Sequence, residues 1–219
     1  MGVFDIIGPV MIGPSSSHTA GAARLGRLAR YLLGESPIKA DITFYGSFAQ
    51  TYRGHGTDRA CVAGLLGWAP DDPRLRDALT MAPELGLQVT ITASAAETEH
   101  PNTVRFHLTG SSGKARELMG VSTGGGRIRM REFDGYSVDL DGSNHTLLTR
   151  HNDRPGIVAF VSQILAAQDI NISAMRLFRQ ERKRLAMMFI ETDTPVANAT
   201  LAEIAAHPAI EVVRTFPPV

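Results

Sequence analysis

The chain has 219 residues, 43% of them hydrophobic and 20% charged, with 22 Lys and Arg against 22 Asp and Glu. That length suits one large or two modest domains with a sizeable core, and the balanced charge argues against a general polyanion or nucleic-acid binder. The single cysteine, Cys61, excludes an internal disulfide and any thiolate-ligated zinc or iron–sulfur centre built by this chain alone. No run approaches the roughly 18 apolar residues of a membrane span, and MGVFDIIGPV lacks the basic flank of a secretory signal, so no membrane partner and a cytoplasmic location are expected.

The first strong pattern is GPVMIGPSSSHTAGAARLGRLAR, residues 8–30, in which Ser15, Ser16, Ser17, His18 and Thr19 are consecutive. Pro14 disfavours helix at Gly13, the hydroxyls can accept the first unpaired backbone N–H groups, and Ala22, Leu25, Leu28, Ala29 and Leu32 recur at helical spacing. The spacing predicts a helix that opens within Ser17–Ala20 and stops at Gly34. Unpaired N–H donors, the positive end of the helix dipole, three hydroxyls and an imidazole together suit a carboxylate or phosphate. The same residues would equally make a plain helix cap beside a surface histidine.

Residues 40–45 (ADITFY) alternate as a half-buried strand closed by Gly46. His55, framed by Gly54 and Gly56, is expected on a loop before a second helix capped by Thr57, with Asp58 in its first turn. Gly64 and Gly67 would permit close packing of that helix. A break at 69–73 and a short helix at 74–81 come next. Strands are predicted at 87–93 and 103–109, with a turn at His100–Thr103 between them. Further strands at 117–122 and 128–133 flank Gly124–Gly126, a triplet suited to a bulge, a tight crossing or the approach of an anion. Asp134-Gly135 marks a hairpin into a strand at 136–140.

Asp141–Asn144 is a polar turn cluster after which the pattern restarts, so domains of 1–143 and 144–219 are expected. The second reads strand, helix, strand, strand, helix, strand: 146–150, 156–168, 171–179, 184–192, 200–206 and 210–216. That order is the ferredoxin-like βαββαβ unit, and the whole chain is expected to be α+β.

Within this tail, Asn152-Asp153-Arg154-Pro155-Gly156 at a strand-to-helix turn, followed after the helix by Asp169-Ile170-Asn171-Ile172, resembles the ACT domain. Ahead of it GPSSSHTAG, RGHGTDRA, HPNTVRF and VSTGGGRI occur in order. Together they look like the beta subunit of the bacterial iron–sulfur L-serine dehydratases, a resemblance that covers essentially the whole chain. It departs at QERKR, residues 180–184, where a glycine-containing turn would be expected and where a longer, more mobile hairpin is anticipated.

The resemblance implies an N-terminal α/β sheet domain of the serine dehydratase beta, allosteric substrate-binding type, followed by an ACT domain. It also implies an alpha subunit whose cysteines hold a 4Fe-4S cluster, with no metal ligands on this chain. The implied reaction removes water from L-serine, giving aminoacrylate that hydrolyses to pyruvate and ammonia. Ser15, Ser16, Ser17, His18, Thr19 and His55 would then lie in or beside a composite active site. His18 is favoured over His55 as the proton-transfer or orienting group because it lies within the hydroxyl run. Asn152, Asp153, Pro155, Gly156 and Asn171 would bind a small amino-acid effector, and the ACT unit would self-associate. A non-catalytic amino-acid-sensing module, as attached to some phosphoglycerate dehydrogenases, is the alternative. A serine hydrolase is disfavoured because the adjacent Ser15, Ser16, Ser17 and His18 cannot by themselves place a hydroxyl, an imidazole and a carboxylate in triad geometry, and a nucleotide-binding protein by the absence of a phosphate-binding glycine motif.

Overall fold

The computed structural model describes residues 9–179 and 184–219, which divide into two compact units that part between Asp141 and Gly142. Residues 1–8, and with 180–183 most of the anticipated QERKR hairpin, lie outside the described residues.

The first unit opens with a π-helical turn, Ser16–Ala20, that runs straight into α1 (Gly21–Leu33). Gly34, at φ 81°, ends α1 in the left-handed conformation that a residue without Cβ adopts at least cost. Then follow β1 (Pro37–Tyr45), α2 (Gly46–His55), α3 (Thr57–Leu65), a 3-10 turn (Pro73–Asp77), α4 (Ala78–Glu84), β2 (Gln88–Ala93), β3 (Asn102–Gly110), β4 (Ala115–Gly124), β5 (Arg127–Phe133) and β6 (Tyr136–Leu140). The sheet order is β2-β1-β3-β4-β5-β6, with β1 and β2 parallel and the other neighbours antiparallel. Period-two alternation sends Ile42, Phe44, Val104, Phe106, Leu108 and Leu118 into the core, where α1 packs with Leu25, Leu28 and Leu32. α1 and α3 cross at Gly26 and Gly64: a Cβ on Gly26 would run into the Cys61 carbonyl oxygen, and one on Gly64 into that of Ala23. Gly67 does something else, closing the end of α3 at φ 91°.

Two expectations are corrected here. His55 is not on a loop; it is the last residue of α2, a helix absent from the sequence reading. Only Phe48 of α2 is buried, so the segment carries no apolar period, and Gly46 at φ 53° turns β1 directly into the helix. Thr57 does not cap α3 with its side chain: Gly56 occupies the cap position, and the buried Thr57 Oγ1 has no hydrogen-bond partner. The Gly124–Gly126 triplet forms the β4–β5 hairpin turn, with φ 97°, 61° and 77°, which is why three successive glycines stand there.

The second unit consists of β7 (His145–Asn152), α5 (Ile157–Ala167), β8 (Ile172–Arg179), β9 (Leu185–Thr192), α6 (Asn198–Ala205) and β10 (Ile210–Phe216). Its antiparallel sheet has the order β10-β7-β9-β8, the ferredoxin-like βαββαβ arrangement. Leu147, Met188 and Ile190 pack against Val161, Ile164 and Leu165 of α5 and Ile204 of α6 to form a core of its own. β8 is an edge strand. No described helix in either unit is long and apolar enough to cross a membrane.

Candidate active site and effector turn

Ser15, in extended conformation at φ −139°, caps the π turn by accepting the His18 backbone N–H at 3.3 Å, and its carbonyl takes the Thr19 N–H at 2.7 Å. A π turn is rare and widens the helix by one residue per turn. Here it carries His18 inward, so that the residue is only 8% exposed. Nδ1 lies 3.0 Å from Ser17 Oγ and 3.4 Å from Ser15 Oγ, while Nε2 lies 3.2 Å from Ser47 Oγ at the start of α2. The ring stands edge-on to Phe48 at 5.1 Å and to His55 at 4.7 Å. Thr19 Oγ1 donates to the His55 carbonyl at 3.3 Å, tying the turn to the end of α2.

Burial first, and the neighbouring His55 second, push the His18 pKa below the ordinary histidine value, so the ring is neutral near pH 7 and able to accept a proton. His55 Nδ1 is buried without a hydrogen-bond partner. Asp58, three residues on, is buried; burial raises its carboxyl pKa, opposed by the Arg59 backbone N–H at 2.8 Å. Ser15, Ser17, His18, Thr19 and His55 are thus brought together, and Ser16 lies in the same turn. Ser47 and Phe48 were missed. The one available signal was aromatic spacing, Phe48 and Tyr52 at i, i+4, which is too weak to fix a helix.

The other two motifs hold this cluster in place. The carbonyl of Pro101, in HPNTVRF, accepts the Phe48 N–H at 3.3 Å and so pins the first turn of α2. Asn102 Nδ2 reaches the Ser122 carbonyl at 3.3 Å, a Cβ on Gly21 would strike Ser122 Oγ, and Arg24 donates to the Gly126 carbonyl at 2.8 Å. Each of the four segments therefore touches the π turn, α1 or α2. A hollow of about 1040 Å³ over β3–β6 contains none of the expected site residues; of its two cations, Arg105 is paired with Glu117 and Glu132 and Arg131 with Asp139.

With Cys61 the one cysteine of the sequence, the described residues offer no thiolate set for an iron–sulfur cluster. Cys61 is fully buried in α3, burial raises its thiol pKa well above the ordinary value, and no group of three or more His, Cys, Asp or Glu among the described residues could hold a metal ion.

In the second unit Gly156, at φ 94°, precedes α5, with Pro155 exposed beside it. The backbone N–H groups of Asn152 and Asp153 are used by the Ala209 and Arg184 carbonyls, and the Asp153 carboxylate pairs with Arg179 at 3.3 Å. Asn171 is not brought to this turn. It precedes Ile172, which pairs with Thr192, itself opposite His145 at the start of β7, whereas Asn152 ends β7 opposite Leu185. At about 3.3 Å per residue the two positions are more than ~20 Å apart within one chain. Asn171 Nδ2 instead donates to Asp193 at 2.7 Å.

The fold and site describe an α+β chain with a buried histidine–hydroxyl cluster in its first unit and a ferredoxin-like second unit. Comparison with known families matches residues 2–95 to the serine dehydratase beta chain family and residues 145–209 to the ACT domain. The chain is 44% identical to the probable L-serine dehydratase beta chain of Bacillus subtilis, covering 95% of this chain and 94% of that one. It is 31% identical to the L-serine dehydratase beta chain of Peptoniphilus asaccharolyticus, covering 92% and 91%. A D-3-phosphoglycerate dehydrogenase of Synechocystis is 26% identical over 84% of this chain but only 33% of its own length. This chain belongs to the L-serine dehydratase beta-chain family.

Proposed function

We propose that this chain is the catalytic partner of a cluster-bearing alpha subunit and that together they convert L-serine to pyruvate and ammonia in the cytoplasm. The observation that carries this reading is the neutral, buried His18 held between hydroxyls on both ring nitrogens at the mouth of a helix. The 4Fe-4S cluster is proposed for the alpha subunit, a reading supported by the single cysteine of this sequence. Overall, L-serine loses its α-proton and its hydroxyl as water, and the aminoacrylate formed takes up water to give pyruvate and ammonia. Within that sequence the Ser16 hydroxyl and the helix N–H groups bind the substrate carboxylate, Ser15, Ser17 and Thr19 hold the turn and the ring in place, and His18 takes the proton. His55 lies against the ring and tunes it.

The test is reconstitution with an alpha subunit. The beta chain alone should be colourless and inactive, the complex should form pyruvate, and His18→Ala should lower kcat by about 10²–10⁴-fold, with Ser16→Ala and Ser17→Ala showing smaller losses. Pyruvate formed by the beta chain alone, or unchanged kinetics in all three variants, would overturn the reading. A second reading, a non-catalytic amino-acid-sensing module, is favoured by the similarity to part of a phosphoglycerate dehydrogenase; an inactive complex with every alpha subunit tried would support it. In either case the ACT unit is proposed to pair through the β8 edge and to bind a small amino acid, L-serine first among them, at Asn152, Asp153, Pro155 and Gly156.

A further inference from the structure

We propose that Ser47 is a positioning residue for His18: its Oγ accepts the Nε2–H and so holds the tautomer in which Nδ1 is the basic nitrogen. This rests on His18 being the proton acceptor in the proposed reaction. Each serine hydroxyl has one proton to donate, and a neutral imidazole has one donor and one acceptor nitrogen. Ser15 Oγ already accepts the His18 backbone N–H, so its own O–H is available to Ser17 Oγ, 3.3 Å away. With the hydroxyls ordered in that sense, the Ser17 O–H donates to Nδ1 over the shorter of the two contacts, 3.0 Å against 3.4 Å, the opposite order corresponding to the other tautomer. With Nδ1 accepting, the ring hydrogen sits on Nε2, where the acceptor in reach is Ser47 Oγ at 3.2 Å.

The backbone around Ser47 is fixed for this task. Its carbonyl takes the Thr51 hydroxyl at 2.7 Å, and the next residue, Phe48, is held by the Pro101 carbonyl and packs against the same imidazole. The charged and titratable groups on neighbouring elements do not replace it. His55 meets the His18 ring through its face or edge, the Asp58 carboxylate of α3 accepts the Arg59 N–H, Arg24 of α1 is bound to the Gly126 carbonyl, and Glu117 of β4 is paired with Arg105. Among the described residues no carboxylate is hydrogen-bonded to the ring.

Nitrogen-labelled histidine in the free beta chain reads the arrangement directly. Long-range proton–nitrogen correlation should show a pyridine-type Nδ1 and a pyrrole-type Nε2 for His18; the reverse assignment overturns the proposal. In the reconstituted complex, an imidazolium donates to Ser47 more strongly than the neutral ring, so removing the hydroxyl should favour the neutral form. Ser47→Ala is therefore expected to move the acid limb of kcat/KM to lower pH and to lower kcat about 10-fold with KM little changed, and Ser47→Thr to restore both. An acid limb that stays in place or moves to higher pH, while His18→Ala is inactive, sinks this inference and leaves the proposed function standing. Normal kinetics in His18→Ala would instead remove His18 as the proton acceptor, the assignment on which this inference rests.

Discussion

At His18 and Asp58 burial acts on opposite charges with opposite consequences for stability. The histidine has its folded pKa below the ordinary 6.5, so below that pH the unfolded chain binds more protons and stability falls as the pH drops. Asp58 has its folded pKa above the ordinary 3.8, so the folded state disfavours the carboxylate, and the penalty grows as the pH rises through the folded value and persists at neutrality. Asp58→Asn retains an oxygen to accept the Arg59 N–H and removes the charge. It should raise the melting temperature at pH 7 and leave it nearly unchanged near pH 3; an equal gain at both values would show that packing, not charge, is responsible. A buried carboxylate kept at a stability cost within RGHGTD, three residues from His55, is the kind of local inconsistency that marks a site.

At the level of elements, the crossing of α1 on α3 sets the position of the π turn. Gly64 meets backbone on every side: besides the Ala23 carbonyl, a Cβ there would lie 2.7 Å from the Arg27 nitrogen and 2.9 Å from the Gly26 Cα. Since backbone cannot swing aside as a flexible side chain can, Gly64→Ala should cost about 1–3 kcal/mol, a loss of roughly 2–4 °C in Tm per kcal/mol for a chain of this size. Unchanged melting would mean the helices separate freely. The sequence showed that Gly64 allows close approach but not what approaches, because Gly26 lies on another helix. Elements with a clear period, such as α1, β1, β3 and α5, were legible for that reason, since the buried stripe is written into the spacing. α2 was not, as Phe48 alone is buried from it and its place is fixed by Gly46 and by the Pro101 carbonyl 53 positions on. The consequence reached the site: Ser15 to Thr19 and His55 could be read as motifs, whereas Ser47 could be found only once α2 had folded beside them.

On the scale of the whole molecule, the residues proposed to bind an effector fall at two ends of one sheet of the second unit. Asn152, Asp153 and Gly156 lie at the end of β7, while Asn171, which stands within the motif that suggested the same site, lies at the other end of the sheet. The strand order already implied this, because a helix crossover joins parallel strands and so β8 starts at the end of the sheet opposite to where β7 finishes. A two-fold pairing of edge strand β8 with its copy would run antiparallel and set the start of one β8 beside the end of the other, bringing the partner's Asn171 towards the turn that holds Asp153 and Gly156. β8 has the side chains for such a contact: Leu177 is 40% exposed, and Ile172, Met175 and Phe178 are only partly covered. Residues 142–218 carry their own core, so a fragment of that span is expected to fold and to sediment as a dimer. Calorimetry of that dimer with L-serine should then show binding, and Asn171→Ala should weaken it by about 10-fold, the loss of one hydrogen bond to a charged ligand. A fragment that stays monomeric at high concentration removes the pairing. A dimer that gives no heat with L-serine or any other small amino acid leaves β8 as an assembly edge alone, and one that binds equally well as Asn171→Ala places the effector within a single chain.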